Sequence, residues 1–444
     1  MSGATVLTPA TAGLFASRVG LLGTEEAFAL GALIRSVESD GRRVIRCNLG
    51  QPDFPLPTHI ADAVVRALRE GMTTYCDPQG IPELRAAVAR SVGAKRGLSI
   101  DPERVVVYPG GRPPIGLGQE AYIEDGDEVI YPTPGYPLFE SFIPFVGGTP
   151  VPLPLREEAG FSLTSQDLEP LLSDATKLIF LNFPSNPTGG VATAQELADI
   201  AGSILTHTRP DVRVYSDESY EAIVFDGAEH VSIASMPGME ARTIIASGVS
   251  KTYSWTGGRV GWAVYPTVEE ARVHRNLNIN YYASIPPYNQ MGAKAALESP
   301  ESQPAIRRMV EAFERRRDIV VGGLNAIDGI RCAQPRGAFY AFPNVGGVLE
   351  RLGATEAYRA LPEETRRRTS PATLFQLFLL HRYRVATMDR RSFGIRGSEG
   401  QHFLRISIAT GDDDLRKAVD RIAEASQDVG GFRDFVRSGT RLML

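Results

Sequence analysis

The chain has 444 residues, 43% hydrophobic and 22% charged, the balance of a soluble globular enzyme too long for one ordinary core. Its net charge of -5 argues against a nucleic-acid partner, and the triplets Arg315-Arg316-Arg317 and Arg366-Arg367-Arg368, set among carboxylates, read as solvated helix faces. Scattered Cys47, Cys76 and Cys332 without a CxxC pair, and six histidines without HxxxH spacing, argue against a disulfide framework and against a metal site. No basic-then-apolar leader and no bilayer-length apolar run occur, so no membrane is expected and the cytoplasm is the expected location.

In chain order, Met1 to about Gly13 is Thr/Ala/Gly-rich and expected to fray. A helical pattern covers about Thr24 to Asp40, and Asn48-Leu49-Gly50-Gln51-Pro52-Asp53-Phe54-Pro55 is a turn that no helix can continue. Short runs rich in Val, Ile, Leu and Tyr follow at Arg104-Tyr108, Glu128-Tyr131, Lys177-Leu181, Val212-Tyr215, Thr243-Ala246 and Val260-Val264. Helical patterns such as Pro82 to Gly97 and Thr193 to Thr206 separate them. Several runs lack polar alternation, as strands buried on both faces do, so the order predicts an α/β domain with a mostly parallel sheet. A long helical pattern then spans Glu301 to Asp328, and separated strands at Ala338-Phe342 and Phe403-Ile408 predict a smaller α+β domain. The polar, Arg/Glu-rich stretch from Gly346 to Pro371 reads as a helical elaboration on the surface.

Open α/β sheets gather their ligands at the carboxyl ends of the strands, so the residues just past each run matter most. After the first run comes Pro109-Gly110-Gly111-Arg112-Pro113-Pro114, whose glycines and helix start suit an anion, although such a turn alone is usually only a turn. The third run leads into Asn182-Phe183-Pro184-Ser185-Asn186-Pro187-Thr188-Gly189-Gly190, and the fourth into Ser216-Asp217-Glu218-Ser219-Tyr220. Each has a plain alternative, as turn chemistry or as a cap. The fifth leads into a Ser/Gly-rich loop holding one lysine, Ser250-Lys251-Thr252-Tyr253, with Arg259 eight residues beyond. A lone loop lysine is ordinarily a surface charge, and it is the combination that changes the reading.

In this order and spacing the segments resemble fold-type I pyridoxal-phosphate (PLP) enzymes of the class I/II aminotransferase family, in its bacterial aspartate aminotransferase-like subgroup, from about Arg18 to Ala423. The resemblance implies the PLP-transferase fold and an aminotransferase using pyridoxal 5'-phosphate, with aspartate or glutamate as the first choice of donor and a 2-oxo acid as acceptor. It implies that Lys251 carries the cofactor as a Schiff base and shuttles the proton, while Asp217 keeps the ring nitrogen protonated. Asn186 and Tyr220 then hydrogen-bond the ring's phenolic oxygen, and Tyr136 stacks on the ring. Gly111, Arg112, Ser250 and Arg259 hold the phosphate, joined by Tyr75 from the neighbouring subunit of a homodimer. Arg405 forks the substrate α-carboxylate, and Gly50 lies in the turn that closes over it. Thr133-Pro134 and Asn186-Pro187 become candidates for cis bonds.

Three positions depart from the usual pattern: Gly248 replaces a hydroxyl residue, Gly258 a tryptophan, and Arg112 stands where uncharged residues or lysine also occur. Arg112 either reads an acidic substrate side chain, alongside Asn186 and Arg405, or bridges a nearby carboxylate. The shared motifs leave open a PLP lyase, either a carbon–sulfur β-lyase or an aminocyclopropane-carboxylate-synthase-like elimination. A ligand-sensing regulator would need a fused DNA-binding module, for which no room is expected ahead of Arg18. The expected organisation is an N-terminal arm with part of the small domain (1–59), a large PLP-binding α/β domain (60–304) and a C-terminal small α+β domain (305–444).

Overall fold

A computed structural model describes residues 13–23, 26–439 and 442. The expected frayed segment, up to residue 12, lies outside the described residues, as do Thr24 and Glu25 at the start of the first helical pattern. That pattern forms a helix over Glu26–Val37 and ends in a 3-10 turn, Glu38–Asp40, closed by Gly41 at φ 81°.

Twelve strands are described: β1 (Ile45–Arg46), β2 (Val105–Tyr108), β3 (Glu128–Thr133), β4 (Thr149–Pro154), β5 (Thr176–Asn182), β6 (Arg213–Asp217), β7 (Thr243–Gly248), β8 (Gly261–Val264), β9 (Tyr340–Ala341), β10 (Val385–Ala386), β11 (Met388–Asp389) and β12 (Leu404–Ser407). Seven of them form one sheet in the order β2-β8-β7-β6-β5-β3-β4. Its β4-β3-β5-β6-β7 run is parallel, and β8 alone is reversed, antiparallel to both β7 and β2. The six runs read for the α/β domain all lie in this sheet, and their unbroken apolar texture matches burial on both faces. The reversal of β8 has a functional consequence: its start lies at the same sheet edge as the ends of β2 and β7, with Gly261 opposite Tyr108 and Gly248.

The strand of this sheet absent from the sequence reading is β4, Thr-Pro-Val-Pro-Leu-Pro. Three prolines read as breakers, but they recur with period two on the outermost strand. Thr149 and Leu155 donate inward to the carbonyls of Asp127 and Thr133, both at 2.8–2.9 Å. By alternation the three missing N–H groups face outward, where nothing needs them.

The remaining strands form an antiparallel trio, β11-β12-β9, and a parallel pair, β1-β10. A hydrogen bond from Ser407 N to Cys47 O (2.8 Å) ties β12 to the chain just ahead of Gly50. Two expectations need correction here. Only Arg315 of its triplet is a solvated cation: Arg316 is clamped by Asp53 and Asp412, and Arg317 by Asp226 and Asp318, with 9% and 2% of their side chains exposed. The partners of Arg316 and the Asp226 partner of Arg317 come from distant segments, which is why the local sequence conceals this burial. The 346–371 stretch is also not all surface, because Val348, Leu349 and Ala354 enter the core, whereas Glu363–Arg367 has no buried residue. Among the described residues no helix is long and apolar enough to cross a membrane.

Candidate active site

At the carboxyl edge of the sheet, the ends of β2, β5, β6 and β7 and the start of β8 surround a cavity of about 580 Å³. Gly50, Gly111, Arg112, Tyr136, Asn186, Asp217, Tyr220, Ser250, Lys251, Arg259 and Arg405 all line it. Tyr75 does not; its residue is 87% exposed.

One end of the cavity suits an anion. The helix Pro113–Tyr122 begins there with two prolines, which carry no N–H, and Ile115 N donates to Arg112 O (3.1 Å). An anion at this end would therefore meet the Gly110-Gly111-Arg112 turn ahead of the helix rather than its first-turn N–H groups. Gly110 has φ 99°, which favours glycine, and a Cβ on it would stand 2.2 Å from an Arg259 guanidinium nitrogen and displace that group. Arg259 donates from Nη1 to Thr256 O (2.9 Å) and from Nη2 to Pro109 O (3.0 Å). Burial, and then the nearby charge of Arg112, push the Arg259 pKa down, a strain that an anion at this end would relieve. The glycine at 248 has a steric cause: a Cβ there would meet Gly261 Cα and Val260 O at 2.9 Å. At the other departure Trp255 fills the missing volume, its indole lying where a Gly258 side chain would begin, 2.3 Å from that Cβ position.

At the floor, Asp217 closes β6 and is 9% exposed. Its Oδ1 accepts from Ser219 N (3.1 Å) and Ser219 Oγ (2.6 Å). Burial raises the Asp217 pKa, and the Ser219 hydrogen bonds and the Lys251 charge oppose the rise. A buried carboxylate held by neutral donors in a cavity wall fits a protonated ring nitrogen, and the anion cradle fits a phosphate. The residues present therefore fit PLP. Asn182 sets the neighbouring loop, donating from Nδ2 to Asp217 O (3.1 Å) and accepting from Asn186 N (2.9 Å). The peptide bonds before Pro134 and Pro187 are cis as expected, and so is Phe183-Pro184.

Lys251, on the short helix Val249–Thr252 after β7, donates from Nζ to Gly50 O. Arg405, on β12, is 4% exposed, with Cζ 4.5 Å from the Tyr340 ring centre and 4.7 Å from that of Phe393. It donates from Nη1 to Asn186 Oδ1 (2.9 Å) and from Nη2 to Asn48 O, while its Nε is buried without a partner. Tyr340, Asn182 and Ser219 are wall residues that sequence reasoning missed. Tyr340 lay in a run read only as a strand; the strand's proximity to the Gly50 turn comes from pairing across the chain, which no local signal carries. Among the described residues, the one grouping with metal-ligand chemistry is Glu218, Glu221 and His230, and Arg96 is already inserted in it, bonded to both glutamates.

A seven-stranded sheet with one reversed strand, bearing a lysine, a buried aspartate and a phosphate cradle at its carboxyl edge, defines a fold-type I PLP enzyme. Residues 42–422 match the family described as aminotransferase class I and II, and the chain belongs to that family. It is 34% identical over 415 residues to the probable aspartate/prephenate aminotransferase of Aquifex aeolicus, covering 93% of this chain and 99% of the relative. Over 389 residues it is 36% identical to the aspartate/prephenate aminotransferase of Cereibacter sphaeroides (87% and 92%). The crystal structure of the Rhizobium meliloti aspartate aminotransferase superposes with a TM-score of 0.82 at 33% identity, covering 93% of this chain and 98% of that one. The protein is a PLP-dependent aminotransferase.

Proposed function

We propose that the enzyme moves an amino group between an acidic L-amino acid, aspartate or glutamate, and a 2-oxo acid such as 2-oxoglutarate. The observation that carries this reading is that three arginines, Arg112, Arg259 and Arg405, line one cavity. Arg259 bonds the phosphate turn, and Arg112 and Arg405 bring two further guanidinium groups to the cavity wall, matching in number the two carboxylates of a dicarboxylic substrate. The names of the relatives in Aquifex aeolicus, Rhizobium meliloti and Cereibacter sphaeroides agree with it.

When bound, PLP supplies the electron sink that weakens bonds at the substrate α-carbon. The protein's own share is binding, orientation and proton movement. Arg405 holds the α-carboxylate with Asn186 beside it, and the Gly50 turn closes over that end. Asp217 keeps the ring nitrogen charged; Asn186 and Tyr220 hold the ring's oxygen; Tyr136 covers the ring face. Gly111, Ser250 and Arg259 hold the phosphate, and Lys251 Nζ carries the proton away from the α-carbon and returns it. The working unit in this reading is a cytoplasmic two-fold dimer in which each Tyr75 reaches its partner's phosphate.

A panel of amino donors mixed singly with the holoenzyme tests the proposal. Aspartate and glutamate are expected to convert the cofactor to its amine form in one turnover, ahead of alanine and aromatic donors. Indifference to both acidic donors would overturn the substrate assignment. Return of the aldehyde form with release of a cleaved side chain would indicate elimination.

A further inference from the structure

Arg390 is 1% exposed and all its hydrogen bonds go to uncharged oxygens. Its Nε donates to Gln401 Oε1 (2.7 Å), Nη1 to Gly394 O (2.8 Å) and Phe393 O (3.4 Å), and Nη2 to Thr133 Oγ1 (2.8 Å) and Gly397 O (3.4 Å). A buried cation without a direct ion pair is an expensive way to fill space, and an apolar side chain of similar volume serves stability as well or better. What the guanidinium does supply is five donors in a rigid fork, which fix the shape of the 390–397 turn.

That turn is sewn to the segment carrying Tyr136. Gly135 N donates to Phe393 O (2.9 Å), Thr133 Oγ1 to Arg396 O (3.0 Å), and Ile395 N to Glu140 Oε1 (3.2 Å). Gly394, at φ 108°, passes so close that a Cβ there would lie 3.0 Å from Glu140 Oε2. The residue at the middle of the seam, Phe393, is 2% exposed and places its ring against the guanidinium of Arg405. One buried arginine thus joins the wall beside the cofactor ring to the platform beneath the substrate-carboxylate residue.

We propose that Arg390 is a positioning residue for substrate binding: through the 390–397 turn it fixes Phe393 against Arg405, and so sets affinity for the substrate carboxylate. The inference rests on the assignment of Arg405 to the α-carboxylate. The test measures KM and kcat of holoenzyme for several donors, the dissociation constant of maleate by spectral titration, and the melting temperature. The variants are R390M, T133V, T133S and, as the reference, R405K.

R390M is expected to raise KM and the maleate constant roughly tenfold or more for every donor, with kcat changing far less. T133V, which removes one acceptor of the fork together with the bond from Thr133 Oγ1 to Arg396 O in the same turn, is expected to reproduce the effect at roughly two- to tenfold, and T133S to restore it. Should R390M fail to fold, the Thr133 pair decides the matter. Lower melting temperatures with unchanged affinity in R390M or T133V would make Arg390 merely structural and overturn the proposal. If R405K leaves carboxylate affinity unchanged, the site assignment fails first and takes this inference with it.

Discussion

The hydroxyl of Tyr340 stands 2.8 Å from that of Tyr220, and the guanidinium carbon of Arg405 lies 4.5 Å from the centre of the Tyr340 ring. A single buried tyrosine therefore touches both the residue assigned to the cofactor's phenolic oxygen and the residue assigned to the substrate carboxylate. Burial raises the Tyr220 pKa, and Tyr340 reinforces that rise, keeping the phenol protonated and able to donate. Tyr340→Phe should lower kcat/KM by roughly two- to tenfold, the worth of one neutral hydrogen bond, and steady-state kinetics will read it. An unchanged kcat/KM would limit Tyr340 to packing.

The same hydroxyl explains Gly50. A Cβ at position 50 would lie 2.2 Å from Tyr340 Oη and 3.3 Å from its Cζ, and Tyr340 is 1% exposed, with little room to retreat. Gly50→Ala should therefore impair activity, and adding Tyr340→Phe should recover part of the loss because the nearest atom is gone. A double-mutant cycle measures that coupling directly; strict additivity would mean that the two residues do not meet in solution.

Arg112 separates substrate reading from cofactor binding. If it meets the distal carboxylate, Arg112→Ala should cut kcat/KM for aspartate and glutamate by roughly one to two decades, with little change for alanine or an aromatic donor. A uniform loss across donors would move Arg112 to the phosphate turn, where its charge already bears on Arg259.

Behind Asp217, Glu218 is fully buried and accepts from Arg96, His230 Nε2 (2.9 Å), Ser216 Oγ (2.8 Å) and Ser232 Oγ (2.5 Å). Burial alone would raise its pKa; Arg96, His230 and the hydrogen bonds more than reverse this and hold it well below the ordinary carboxylate range. A lowered folded-state pKa contributes stability that is complete above the unfolded value and is lost as pH falls toward the folded one. Arg96→Met strands the buried carboxylates and should cost about 3–5 kcal/mol by denaturant unfolding at neutral pH. The loss should shrink as acid protonates Glu218 and Glu221. A pH-independent difference would refute the electrostatic account.

Much of the site was legible because strand ends carry their chemistry in the adjacent residues: Asp217, Lys251 and the Gly110-Gly111 turn each follow a readable apolar run. The sheet's parallel portion was legible for the same reason. What was hidden depends on pairing at a distance. The β4 prolines are harmless only on an edge, Arg317 is buried only because Asp226 arrives from elsewhere, and Tyr340 faces the site only because β9 pairs with β12. Tyr75 is of another kind, since its assigned role requires a second chain; Tyr75→Ala is expected to weaken PLP retention, and unchanged retention would remove Tyr75 from the site.

The account's central claim is that Lys251 is the cofactor's point of attachment in an aminotransferase. Borohydride reduction of the holoenzyme, followed by peptide mapping by mass spectrometry, tests it most directly. The account predicts one pyridoxyl group per chain, on Lys251, and none after prior conversion of the cofactor by an amino donor. A label on another lysine, or full labelling after donor treatment, would contradict it.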